Sequence, residues 1–272
     1  MLGTDLAREL AGRYEVTGTD VNGGLYRCDI TDREKIAGII EKVMPDIVIH
    51  AAAWADVDGC ELDKKKAYAV NSAGTGNVAV ACKSAGARMI YVSTDFVFDG
   101  RKTSPYREAD KTGPLCVYAD SKLKGEALTR EASEKNAVVR TSWLYGKNGK
   151  NFVDTIIAKA KADGKLRVVD DQVGSPTYTV DLAGAIRRLI DKPEAIRGIY
   201  HVSNSGSVSW YEYAKAILKI SGIKAKVDPI SSKELARPAI RPAMSAMDIS
   251  KFEKITGYKM RGWKAALREY LS

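Results

Sequence analysis

The sequence is short of the features that mark several protein classes. Its four cysteines, Cys28, Cys60, Cys82 and Cys116, are widely spaced and form no C-x-x-C pair, so neither a zinc site nor a redox motif is indicated. Each reads as a small buried apolar residue. Proline is sparse, at 8 of 272 residues, and the 28% charged against 45% hydrophobic composition excludes the collagenous and disordered extremes. No run approaches the roughly 18 uninterrupted apolar residues of a membrane helix, so no membrane partner is expected. Met1 to Leu10 carries Asp5 and Glu9 and lacks the apolar segment of a secretory signal, which makes a cytoplasmic location the expectation. There is no internal repeat or low-complexity tract.

The length suits one large α/β domain with a smaller lobe. The formal charge of +9 is spread along the chain, with Lys64-Lys65-Lys66 the one notable run, so it reads as a solvated surface rather than a nucleic-acid patch. No nucleic-acid partner is expected, whereas a phosphorylated small substrate fits the same excess. Short apolar runs alternate with helical patterns, the signature of strand-helix-strand units and a parallel sheet. A strand is expected over Tyr14 to Thr19, ending at Asp20, and a short one over Leu25 to Cys28. Thr31 to Glu34 is a capping box opening a helix that stops before Pro45. Asp46 to His50 reads as a fully buried strand, Asn71 to about Ala85 as a helix ended by Gly86, and Arg88 to Ser93 as another buried strand. A helix over Tyr118 to Glu134 and a strand over Ala137 to Thr141 follow.

Beyond about Asn151 the pattern loosens. A helix to Asp163, a strand near Leu166 to Val169, a helix after Thr179 and a strand over Ile199 to Val202 are expected, with capping boxes at Ser209-x-x-Glu212 and Ser231-x-x-Glu234. Arg237 to Asp248, with Pro238 and Pro242 and little periodicity, reads as a loop of the kind that meets substrates beside a parallel sheet.

Tyr118-Ala119-Asp120-Ser121-Lys122 sets a phenol and an ammonium four residues apart, on one helix face. A free tyrosine, with a pKa of about 10, transfers protons poorly near neutrality, and a nearby cation brings it toward the working range. A carbonyl that receives hydride at carbon needs a proton at oxygen, which Tyr118 could supply. Alone the match is weak, because such a pair is commonly two solvated side chains. Thr94 strengthens it: it follows the buried strand over Arg88 to Val92, at the sheet's carboxyl end, where it could polarise the same carbonyl. His50 ends a buried strand and reads as a packed, hydrogen-bonded histidine rather than a general base.

Several motifs, in order and spacing, carry a resemblance. They are Pro45-Asp46-Ile47-Val48-Ile49-His50-Ala51-Ala52-Ala53, Asn71 with Gly74-Thr75, Ser93-Thr94-Asp95-Phe96-Val97-Phe98-Asp99-Gly100, and Tyr118 with Lys122. Arg140-Thr141-Ser142-Trp143-Leu144-Tyr145-Gly146, Asp171 to Thr177, and Arg241-Pro242 with Ser245 and Asp248 continue them. Over essentially its whole length the chain resembles the extended short-chain dehydrogenases, and within them the dTDP-4-dehydrorhamnose reductases. The resemblance implies a Rossmann-like doubly wound parallel sheet with a smaller C-terminal α+β lobe. Residues 1–150 would form the NAD(P)-binding region with the catalytic residues. Residues 151–272 would mainly bind substrate, with some segments returning to the core sheet.

The resemblance also implies roles. The reaction would be reduction of the 4-keto group of a nucleotide-linked deoxysugar by hydride from NADH or NADPH. Tyr118 would donate the proton, Lys122 would bind the nicotinamide ribose and lower the Tyr118 pKa, and Thr94 would contact the keto oxygen. Asp95 and Trp143 would line the sugar pocket, and Arg241 would pair with the diphosphate. Asn71 would support the arrangement, and Ala51, Ala52 and Ala53 would let the cofactor pass the strand end. Asp29 and Ile30 fall where the adenine would lie, and Asp29 could instead only cap a turn. Asp20, at a strand end, favours NADH, because a carboxylate there accepts ribose hydrogen bonds and repels a 2′-phosphate.

The chain departs from the pattern at its start. Met1-Leu2-Gly3-Thr4 resembles only the last glycine of a G-x-x-G-x-x-G turn and the helix after it, leaving Gly3 as the one phosphate-loop candidate. The expectation is that the native protein carries roughly ten more residues, one strand plus the glycine turn, and that without them cofactor binding is poor. Two other functions stay open. One is an epimerase or 4,6-dehydratase of the same superfamily, against which Phe96 stands where a dehydratase carries an acid. The other is a non-catalytic subunit resembling the regulatory partner of methionine adenosyltransferase. No metal site is expected, and a homodimer is left open.

Overall fold

The computed structural model describes residues 1–23 and 26–272. Twelve helices and twelve strands follow one another among them. The first half runs α1 (Leu2–Leu10), β1 (Thr19–Asp20), β2 (Tyr26–Arg27), α2 (Arg33–Val43), β3 (Ile47–His50), α3 (Val57–Leu62), α4 (Lys64–Tyr68), α5 (Thr75–Ser84), β4 (Arg88–Thr94), α6 (Val117–Ala132) and β5 (Ala137–Thr141). Then come β6 (Leu144–Tyr145), α7 (Phe152–Asp163), β7 (Lys165–Val169), β8 (Val173–Gly174), β9 (Thr177–Tyr178), α8 (Thr179–Ile190), β10 (Gly198–His201) and β11 (Val208–Ser209). The chain closes with α9 (Trp210–Ser221), β12 (Lys226–Ile230), α10 (Ser232–Leu235), α11 (Ser250–Thr256) and α12 (Trp263–Leu271). No described helix is long and apolar enough to cross a membrane.

The central sheet is parallel throughout, in the order β10-β5-β4-β3, so a late strand returns beside β5. Alternation along the strands sends side chains to two layers. Ile90, Val92, Ala137 and Val139 pack with Leu2, Leu6 and Leu10 of α1 and with Leu182, Ile186 and Leu189 of α8. Met89, Tyr91 and Val138 meet Ile36 and Ile40 of α2 and Val78 and Cys82 of α5 on the other face. This is the Rossmann-like arrangement, an α/β fold with helices on both faces of a parallel sheet. A separate cluster gathers Tyr145, Ile156, Leu166, Tyr213, Ile217 and Leu267 around the parallel pair β7–β12. All four cysteines are free and buried.

Several local expectations are corrected. The strand expected over Tyr14 to Thr19 is only Thr19–Asp20, because α1 closes in a turn that bonds the Tyr14 amide to Leu10 O and turns its hydroxyl to Asp191, at 2.6 Å. It pairs with Tyr26–Arg27 in a two-stranded sheet of its own, and Leu25 of the expected second strand lies outside the described residues. β3 is half-buried rather than fully buried, being the outer strand of the four. Helix α2 is capped by Asp32, not Thr31: Asp32 accepts from the Lys35 amide at 3.0 Å, while the Thr31 hydroxyl is taken by Asp29. The Ser231 box forms in both directions. At Ser209 only the forward arm is made, since Glu212 turns to Lys215.

Candidate active site

Helix α6 carries the site because its spacing of 3.6 residues per turn puts Tyr118, Lys122 and Glu126 in one row. Gly125 lets that row sit close to the sheet: a methyl group there would come within 2.6 Å of both Asn71 O and the Tyr91 hydroxyl. The Lys122 ammonium is buried, donates to Val92 O at 2.7 Å and lies 4.2 Å from the centre of the Tyr91 ring. Burial pushes its pKa down to about 7, and the Glu126 carboxylate one turn on pulls the other way. Glu126 itself accepts from Ser93 Oγ at 2.6 Å and from Nε and Nη2 of Arg140 at 2.9 and 2.7 Å. Strands β4 and β5 are thereby tied to α6 beneath the site.

Thr94 ends β4, in register with Thr141 of β5, so it stands at the carboxyl end of the sheet. Its hydroxyl donates to Asp95 Oδ1 at 3.1 Å, and the Thr94 side chain faces the Tyr118 phenol closely enough to ease its ionisation. That effect is outweighed. Burial, with the Asp95 carboxyl adding to it, raises the Tyr118 pKa above its ordinary value, so the expected lowering by Lys122 is not found. The reason is geometric: the Lys122 ammonium is directed to the Val92 carbonyl and the Tyr91 ring. Asp95 is buried with Oδ2 lacking any partner among the described residues, and burial lifts its pKa to about 7 even though the neighbouring Ser245 and Thr94 hydroxyls oppose the rise.

Asn71 sits in a wider, π-type turn over Ala69–Gly74, a distortion frequent at functional sites. Its amide grips the backbone of Trp54, accepting from N at 2.8 Å and donating to O at 3.1 Å, and also donates to Ser121 Oγ at 3.1 Å. It therefore fixes the loop that follows β3 against α6. Ala52 and Ala53 are exposed in that loop and Ala51 is half-buried, so the three residues after the strand carry only methyl side chains. An ammonium has three donors, and Val92 uses one of those on Lys122, leaving others for hydroxyls. Short side chains and a spare cation at the strand ends fit a dinucleotide. His50 is buried 3.0 Å from Thr75 Oγ1 and is driven to a pKa of about 3 by burial, so it is a neutral packed histidine.

The remaining expected residues are held by other partners. Asp20 is exposed and accepts from the Asn22 amide at 2.9 Å. Asp29 caps its own turn through the amide and hydroxyl of Thr31, contacts that hold its pKa below the usual range. Ile30 is buried against Gly74. Gly3 lies inside α1, where an added methyl would meet nothing within 4 Å. Arg241 is not a free fork. Nη1 and Nη2 reach the two oxygens of Asp58 at 3.1 and 3.0 Å, and Arg237 and the Ala239 amide join at 3.2 Å. Burial opposes ionisation of Asp58, but these donors hold its pKa below the ordinary value.

The RmlD substrate binding domain family matches residues 1–272. The chain belongs to this family. Among its curated relatives, the spore coat polysaccharide biosynthesis protein SpsK of Bacillus subtilis is 42% identical over 99% of this chain and 93% of its own. The dTDP-4-dehydrorhamnose reductase of Aggregatibacter actinomycetemcomitans is 38% identical over 98% and 94%. A solved dTDP-4-dehydrorhamnose reductase from Clostridium acetobutylicum matches with a TM-score of 0.93 at 38% identity, covering 99% of this chain and 94% of that one. The Bacillus anthracis reductase, solved in complex with NADP, gives the same TM-score, identity and coverage.

Sequence reasoning missed three residues that the structure ties to the site. Ser121 and Glu126 were within reach, since both lie three to four residues from Tyr118 or Lys122 on α6. Asp58 carried no local signal, because its partner Arg241 is 183 residues away.

Proposed function

We propose that this protein reduces the 4-keto group of a dTDP-linked 6-deoxysugar, dTDP-4-dehydro-L-rhamnose to dTDP-L-rhamnose or a close relative, with a nicotinamide cofactor. The observation that carries the reading is the meeting of Thr94, Tyr118 and Lys122 at the carboxyl end of the parallel sheet. When bound, the reduced nicotinamide supplies hydride to the carbonyl carbon. Tyr118, whose raised pKa keeps its phenol protonated, gives that proton to the keto oxygen. The Thr94 hydroxyl turns from Asp95 toward the same oxygen and stabilises the charge that develops there. Lys122, held by Val92 O, offers its remaining donors to the ribose. Its ammonium is charged below a pKa of about 7, and that charge strengthens the hydrogen bonds it offers the ribose. Asp95 and Trp143 line the sugar pocket, and Arg241 exchanges Asp58 for the substrate diphosphate.

The NADP-bound relative supports a nicotinamide cofactor, and the exposed carboxylate of Asp20 is the element of this chain that weighs toward NADH. The test is oxidation of NADH or NADPH on adding dTDP-4-keto-sugars, with Tyr118→Phe as control. No turnover by the native chain with any of them overturns the reductase reading. Undiminished turnover by the variant removes Tyr118 from its role.

A further inference from the structure

Trp143 has a backbone φ of +46°, a left-handed conformation that is a genuine outlier for a bulky aromatic residue. Such strain persists only where the surroundings over-determine it, and it gathers at ligand sites. Two contacts do the holding. The indole stacks on that of Trp210, with ring centres 3.4 Å apart and planes within 6°. The Gly174 backbone lies against the same indole so closely that a methyl group would stand 2.5 to 2.7 Å from Cε2, Nε1 and Cζ2. Trp143 O also accepts from the Thr177 amide at 3.2 Å.

Each holding residue is itself anchored. Trp210 opens α9, whose cap is Ser209, and Phe152 of α7 packs against it with centres 4.3 Å apart. Gly174 is in β8, paired antiparallel with Val208–Ser209 just before Trp210. The neighbouring Val173 bonds to Ala243 O at 2.7 Å and to the Ser245 amide at 2.8 Å, which reaches the segment carrying Arg241. Trp143 meanwhile stands two residues past Thr141, the register partner of Thr94. The strained tryptophan thus joins the reactive strand ends to the C-terminal elements.

We propose that Trp210 is a positioning residue for substrate: with Gly174 it clamps Trp143 in its left-handed conformation and fixes the indole beside the reactive carbonyl. This rests on the reductase reading, and deepens it by assigning how the sugar pocket is shaped. Trp210 touches Trp143 rather than the reacting atoms, so its loss weakens substrate positioning while leaving the proton donor in place.

The experiment compares native protein with W210F, W210L and G174A, in full-length chain, using a dTDP-4-keto-6-deoxysugar and reduced nicotinamide. W210L keeps apolar volume without a ring to stack, and W210F keeps a ring. The expected result is a KM rise of about five- to ten-fold for W210L, with kcat changed far less, the size expected of one lost aromatic stack. G174A is expected to raise KM similarly, and W210F to restore most of the native value. The near-ultraviolet circular dichroism of the coupled indoles is lost in W210L and W210F alike. A KM within about two-fold of native in folded W210L, or W210F as impaired as W210L, overturns the clamp. An absence of turnover in the native protein overturns the reductase reading and the clamp with it, whereas native turnover with unaffected variants overturns the clamp alone.

Discussion

The wall beneath Tyr118 and the segment from Thr19 to Thr31 are built in opposite ways. At the wall, Lys122, Glu126, Ser93 and Arg140 are all buried, and each is held by at least one hydrogen bond from another element. In the early segment, Asp20 and Asp29 are exposed, and among the described residues their carboxylates accept from residues two positions away. The difference teaches where precision is needed. Proton transfer depends on separations of a few tenths of an ångström, which a packed core can fix. Under the proposed reading this segment would meet the adenosine end of the cofactor, where water and surface groups are tolerated and local turn contacts suffice.

Changes on the wall should therefore cost far more than changes in the segment. The largest effect is expected from Tyr118→Phe, which should lower turnover on the order of 10²–10⁴-fold, the span of a positioned general acid. Steady-state oxidation of the reduced nicotinamide measures it, and a loss of less than ten-fold would place the acid elsewhere. Next is Glu126→Ala, which strands the Arg140 guanidinium in the core. Removing one partner of a buried pair costs about 3–5 kcal/mol, to be read from urea unfolding. A cost under about 1 kcal/mol would show that water reaches Arg140 and that the wall is no better packed than a surface.

The pH dependence follows from Lys122. Burial depresses its folded pKa from 10.5 to about 7, so the ammonium is present below that pH and lost above it. kcat/KM for reduction should fall as pH rises through about 7. A flat profile from mildly acid to mildly alkaline pH would mean that the Lys122 charge takes no part. On the exposed side, Asp32→Ala removes the cap of α2 and should cost about 1 kcal/mol in thermal or urea unfolding. Smallest is Asp20→Asn, expected to shift the preference toward NADPH by up to about five-fold, the reach of an exposed charge. A shift of a hundred-fold would make this segment as decisive as the wall and erase the contrast.

Much of the architecture is legible in the sequence. Ala137–Thr141 is a strand with the expected limits because a central strand, buried on both faces, reads as a short apolar run, here Ala137-Val138-Val139, with Arg140 and Thr141 closing it. Tyr118, Lys122 and Thr94 were readable because a helix brings positions four apart together and a parallel sheet exposes its strand ends. The first strand is far shorter than expected because a two-residue strand has no periodicity to detect. The Asp58–Arg241 pair, the Trp143–Trp210 stack and the Ser93–Glu126–Arg140 network were invisible for another reason. Each joins residues distant in sequence, and only folding sets their separation.

By itself the sequence determined the parallel α/β sheet, the placing of Tyr118 and Lys122 on one helix face, and the family to which the chain belongs. These depend on periods of 2 and 3.6 residues and on motif order, which are properties of the chain alone. The tertiary structure decided what those groups are chemically. It raised the phenol of Tyr118, lowered the ammonium of Lys122, engaged Arg241 with Asp58 and forced Trp143 into the left-handed region. Burial and long-range partners set each of these, and neither exists until the sheet and helices have closed on one another.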